Sequence, residues 1–155
     1  MKTLEIGDQV PAFIGVNQHD QKIASLDFIG SKWAVYFYPK DNTPGCTAQA
    51  CSLRDGNAEL LKNGIKVLGV SADSVKSHDK FSTKFTLPFP LLSDESKEVI
   101  NIFGVWGPKK FMGREYEGIH RVTFVMDEKS KVLHVIKKPK TKDHANEILQ
   151  LLNLK

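Results

Sequence analysis

Two short apolar runs, "WAVYFY" at residues 33–38 and "IKVLGVSA" at residues 65–72, are separated by a polar stretch that holds a threonine followed by a proline, Thr43-Pro44. Neither run alternates apolar with polar residues as a half-exposed strand does, so both read as strands buried on two faces. Buried strands joined through a helix pair in parallel and need helices over both sides of their sheet. The chain is therefore expected to be a layered α/β protein.

The remaining segments fill in that plan. "PAFIGV" and "KIASLDF" flank the polar "NQHDQ" and suggest an N-terminal hairpin. Thr43 is expected to cap a helix with Pro44 at its first position, where a missing N–H does no harm, and Asn63-Gly64 is expected to close it. Asp73 or Ser74 can cap a second helix through "VKSHDKFSTKF". The prolines of "LPFPLL" confine that extended segment to a sheet edge or a loop entry. "DESKEVINIFG" reads as a short helix ended by Gly104, and "GVWGPKKFMGREYEG", glycine-rich and aperiodic, as a loop. "IHRVTFVMD" and "KVLHVIKK" form a hairpin signature, and "DHANEILQLLN" closes the chain as a helix with Ala145, Ile148, Leu149 and Leu152 on one face. This order fits a thioredoxin-like α/β sandwich: a mixed central sheet, helices on both faces and an N-terminal hairpin. With 155 residues, no internal repeat and no linker, one domain over residues 1–155 is expected.

Several classes are disfavoured. The longest apolar run, residues 33–38, is too short to cross a bilayer. The start, "MKTLEIGDQVP", mixes acids in before any apolar block and does not read as a signal peptide, so a cytoplasmic protein is expected. The net charge is +4, but acids and bases alternate, which favours a mixed solvated surface over a nucleic-acid face. The lysine-rich stretch 137–142 is assigned no role. Trp106, Phe81 and Phe111 read as core packing rather than as a collar around a site.

The chain has two cysteines, Cys46 and Cys51, both in the first expected helix. Cytosolic thiols stay reduced, so such a pair is more often catalytic or metal-binding than structural. The five histidines lack ligand spacing, and no metal is expected. With Thr43 as the cap, Cys46 sits at the third helical position, where unpaired amides and the positive end of the helix dipole favour a thiolate, the reactive form. A small buried hydrophobe is the competing account of Cys46. Five residues along an ideal helix separate two Cα atoms by roughly 8.6 Å. A disulfide needs less than about 7 Å, so bonding Cys46 to Cys51 requires local unwinding. Asp55 and Gly56 weaken the helix and make unwinding easier.

"YPKDNTPGCTAQAC" resembles the peroxiredoxin active site, whose proline, threonine and cysteine are matched by Pro39, Thr43 and Cys46. The thiol at Cys51 is similar to the resolving cysteine of the bacterioferritin comigratory protein, or PrxQ, branch. "LGVSAD", "LPFPLLSDE", "FGVWG" and "FMGREYEGIHR" resemble that branch in order and spacing. The resemblance implies that Cys46 is the peroxidatic cysteine, that the Thr43 hydroxyl contacts thiolate and peroxide, and that Pro39 shields the sulfur. It further implies that Arg121 holds the substrate oxygens and favours the thiolate. The expected activity is reduction of hydrogen peroxide or organic hydroperoxides, with an intramolecular Cys46–Cys51 disulfide that thioredoxin or a glutaredoxin reduces. No cofactor is implied, and the branch suggests a monomer. Two other readings are a thiol-disulfide carrier, which would favour a C-x-x-C pair the chain lacks, and a non-enzymatic module binding nucleic acid through its lysines.

Overall fold

The computed structural model of the chain describes residues 2–153. Strands β1 (Ile14–Val16) and β2 (Lys22–Ala24) form the expected N-terminal hairpin, and a 3-10 turn over Ser25–Phe28 leads to β3 (Lys32–Phe37). Helices α1 (Pro44–Asp55) and α2 (Asn57–Lys62) precede β4 (Ile65–Ser71), and α3 (Val75–Phe85) precedes β5 (Leu91–Ser93). Then come α4 (Glu98–Phe103), β6 (Trp106–Phe111), β7 (Arg114–Ile119), β8 (Thr123–Met126), β9 (Val132–Ile136) and α5 (His144–Leu151).

Seven strands make one mixed sheet in the order β2-β1-β5-β4-β3-β8-β9. β3, β4 and β5 are parallel, as their buried character requires, and antiparallel strands flank them. Alternate residues of β3 point to opposite faces. Trp33, Val35 and Phe37 enter a core with Val99, Ile100 and Phe103 of α4, whereas Ala34, Tyr36 and Tyr38 enter a second core with α1, α2, α3 and α5. Cys46 belongs to this second core. Among the described residues no helix is long and apolar enough to cross a membrane.

Three expectations need correction. The helix opened at Pro44 does not run unbroken to Asn63-Gly64: it is interrupted at Gly56, which ends α1 and precedes α2. The interruption fits the packing, since a Cβ on Gly56 would lie 2.3 Å from the Ala145 Cβ on α5. Residues 104–118 are not a loop but lie mostly in a two-stranded ribbon, β6–β7, in register from Trp106–Ile119 to Phe111–Arg114. Its two-residue turn is Met112-Gly113, with φ of 52° and 80°. Most of the ribbon is exposed, so no buried stripe marks it in the sequence, and methionine is an unusual first residue for such a turn. Phe111 is accordingly 65% exposed rather than packed in the core. Pro88 and Pro90 stand at the loop entry ahead of β5, one of the two places expected for them, and β5 itself is an inner strand.

Candidate active site

The end of β3 and the start of α1 bring Cys46 beneath the sheet. Thr43 occupies the N-cap position and Pro44 follows, as their types favour, but the Thr43 hydroxyl makes no cap bond. It donates instead to the Lys40 carbonyl at 2.9 Å, which closes the 40–43 turn on itself. No side-chain cap therefore competes for the helix-start amides, and they stay available to an anion. The Cys46 side chain is buried, at 1% exposure, while Pro44 and Gly45 above it are exposed, so the sulfur is approached through the helix start.

Arg121 reaches that sulfur from the segment between β7 and β8. Its Nη2 donates to Cys46 Sγ at 3.3 Å, and its Nη1 donates to Gln49 Oε1 at 2.8 Å. Gly45 lets the guanidinium lie close: a Cβ there would be 3.2 Å from Nη2. Gln49 is fully buried, and among the described residues neither its Nε2 nor the buried Tyr36 hydroxyl has a hydrogen-bond partner. Burial raises the Tyr36 pKa well above 10.0, with Asp41 and Cys46 raising it further and Arg121 opposing, so the phenol keeps its proton beside the site.

The loop bearing Pro39 and Thr43 is held from below. Asp41 Oδ1 accepts from the Tyr38 hydroxyl at 2.6 Å, and its Oδ2 accepts from Ser77 Oγ at 2.8 Å. The same Oδ2 lies 2.7 Å from His78 Nδ1, and the other ring nitrogen lies 3.0 Å from the Leu92 carbonyl. Both ring nitrogens thus face oxygens, one of a carboxylate and one of the backbone. The Asp41 amide donates to Asp73 Oδ2, which also accepts from Ser71 Oγ. Asp41, Asp73 and His78 place ligand-type atoms within 4.8 Å of one another, but these atoms are engaged by the groups just named, and the cluster works as a clamp on the loop.

The structure thus brings Arg121 to Cys46, with Thr43 one helical turn away and half-buried. Pro39, also half-buried, stands at the head of the same loop. Cys51 lies on the next turns of the same helix, half-buried and unbonded. Gln49, Tyr36 and the Asp41–His78 clamp were not anticipated. Gln49 was within reach of sequence reasoning, because residues three apart share a helix face and 46 and 49 do so.

The AhpC/TSA family model matches residues 6–135. The chain is 48% identical over 152 residues to a protein named putative peroxiredoxin bcp from Haemophilus influenzae, covering 98% of each. Among solved structures it is similar to Xanthomonas campestris bacterioferritin comigratory protein, described for its alkyl peroxide reduction activity. That match has a TM-score of 0.85 and 35% identity, and covers 91% of this chain and 90% of the other. A cysteine-to-serine variant of Xylella fastidiosa PrxQ superposes with a TM-score of 0.92 at 30% identity, covering 99% and 98%.

Proposed function

The chain belongs to the AhpC/TSA family and is a peroxiredoxin, a thiol-dependent peroxidase, and we propose that Cys46 is its peroxidatic nucleophile. The observation that carries the assignment is the Arg121 guanidinium donating to Cys46 Sγ at 3.3 Å beside uncapped helix-start amides. The thiolate attacks the terminal oxygen of a hydroperoxide, the O–O bond breaks, and the sulfur becomes sulfenic acid while the alkoxide or hydroxide leaves and takes up a proton. Arg121 and the open amides meet the charge that develops on the leaving oxygen, in a site that Pro39 helps to shield from water. Gln49 holds the guanidinium in place. Thr43 orients the peroxide, which requires its hydroxyl to turn from the Lys40 carbonyl towards the helix start.

Cys51 is the resolving thiol. In intact α1 it is out of bonding range by helix geometry, so α1 opens before Cys51 attacks the sulfenic sulfur, forming the disulfide and releasing water. An external dithiol, thioredoxin or a glutaredoxin, then supplies two electrons and restores both thiols. Hydrogen peroxide and organic hydroperoxides are the substrates, and the working unit is a cytoplasmic monomer.

Peroxide-dependent NADPH oxidation coupled through thioredoxin and its reductase tests the reading. Cys46→Ser is expected to abolish turnover, and Cys51→Ser to keep one round of oxidation but lose recycling. Full steady-state activity in Cys46→Ser would reject the nucleophile.

A further inference from the structure

Beside the resolving thiol, Ser52 ties α1 to α5: its Oγ accepts from the His144 amide at 2.7 Å, although the two residues are 92 positions apart. His144 opens α5, and its N–H is one of the helix-start donors that need an outside acceptor. The His144 ring is fully buried and anchors that helix end in two directions. Its Nε2 lies 2.8 Å from Thr123 Oγ1 on β8, and its Nδ1 lies 2.8 Å from Glu147 Oε1. With Nδ1–H donating to the carboxylate, Nε2 is left to accept from the Thr123 hydroxyl, so a neutral ring satisfies every partner. Glu147 Oε1 also accepts from the Lys140 amide at 2.9 Å, which pins the approach to α5. One turn beyond Ser52, Gly56 leaves just enough room for Ala145 of α5.

We propose that this Ser52–His144 tie, anchored by Thr123 and Glu147, is a latch that holds α1 folded around Cys51 and so sets how fast the sulfenic acid is resolved. The inference rests on the Cys46–Cys51 chemistry given above. Ser52 follows Cys51 directly in α1, so Cys51 cannot leave its helical position towards Cys46 without Ser52 moving from the His144 amide. While the latch is closed the sulfenic acid persists, and a second peroxide can carry it to sulfinic acid, which no thiol reverses. The latch thus partitions Cys46 between recycling and inactivation. Ser52, His144 and Glu147 act through the helix rather than on the substrate and are positioning residues.

Rapid-quench alkylation with mass spectrometry separates sulfenic-acid formation from disulfide formation in the intact protein. In Ser52→Ala and in Glu147→Ala the first phase is expected to keep its rate. The second is expected to speed up by about threefold to tenfold, the change that corresponds to losing one net hydrogen bond. The gain will be smaller in Ser52→Ala, because alanine itself favours the helix. The sulfinic fraction at high peroxide should fall in step. Glu147→Gln, which still accepts from Nδ1–H, should keep the wild-type second phase, whereas loss of packing alone would not be restored by it. Disulfide formation at the wild-type rate in both alanine variants overturns the latch while leaving the peroxidase reading intact. A wild-type protein that reaches sulfenic acid and never the Cys46–Cys51 bond overturns both.

Discussion

Arg121 and Cys46, 75 residues apart in the chain, meet at 3.3 Å between a guanidinium nitrogen and the sulfur. The same guanidinium spends its other terminal nitrogen on Gln49, so its plane is fixed by two partners on one helix. A lysine at this position has one rotatable point charge and cannot hold both. Arg121→Ala is therefore expected to slow oxidation of Cys46 by peroxide on the order of 10²- to 10³-fold, the usual effect of removing a preorganised donor. Arg121→Lys should recover little of it. Stopped-flow oxidation of the reduced protein measures both, and a variant within about threefold of wild type would remove Arg121 from the reaction.

Gly45 makes a second, finer test of that geometry. Its added Cβ would sit 3.2 Å from Arg121 Nη2, close enough to push the guanidinium by a few tenths of an ångström. Gly45→Ala places a better helix former in the first turn, so stability should hold or rise slightly, by up to about 1 kcal/mol. Peroxide oxidation should nevertheless slow, on the order of tenfold. Thermal melts and oxidation kinetics on the same sample check the two halves, and equal losses in both would mean a folding defect instead.

The sequence made some of this legible and hid the rest for identifiable reasons. The α3 boundaries and its Ser74 cap are local, and the structure places the helix at Val75–Phe85 with Ser74 accepting from the Ser77 amide. The parallel β3–β4 pair was legible because burial on two faces leaves an unbroken apolar run. The β6–β7 ribbon was not, since its exposed faces leave no apolar stripe. Cys46 announced itself by its place at a helix start, but Arg121 carries no local mark of its task, and only the resemblance singled it out. The buried roles of His78 and His144 were not legible. Asp41 lies 37 residues from His78 and Thr123 lies 21 from His144, and only Glu147, three residues along the same helix, is a local partner, too common a pairing to mark a buried ring.

Burial of His144 has a consequence for acid stability. Burial holds its pKa below the ordinary value of 6.5, with Arg121 adding a smaller push and Glu147 opposing both. A depressed folded-state value means that the unfolded chain takes the proton first as pH falls. The contribution of His144 is therefore complete above about pH 6.5 and is lost progressively below it. Melting temperature measured from about pH 8 down to about pH 5.5 should fall more steeply for the wild type than for His144→Gln, which has no ring to titrate. Parallel curves would show that this ring does not govern the acid limb.

The clamp beneath the active-site loop gives the last prediction. Asp41 is 7% exposed, and its carboxylate meets Tyr38, Ser77 and His78 while its amide meets Asp73, so the loop between β3 and α1 is tied to α3 and to the segment after β4. His78→Leu removes a partner from a carboxylate that is almost fully buried. That should cost about 3 kcal/mol, near the lower end for breaking a buried pair. Asp41→Ala strands the ring instead and should cost a similar amount. In the double variant neither group is stranded, so its loss in urea unfolding should fall short of the sum by about 1–3 kcal/mol, the coupling expected of groups in one network. Because the loop carries Thr43 to the helix start, each single variant should also slow Cys46 oxidation several-fold, and the double variant should stay slow, since relief of the stranded partner does not rebuild the tie. Additive losses in stability would show that Asp41 and His78 are held independently. An unchanged oxidation rate in all three variants would mean that the loop keeps its shape without the clamp.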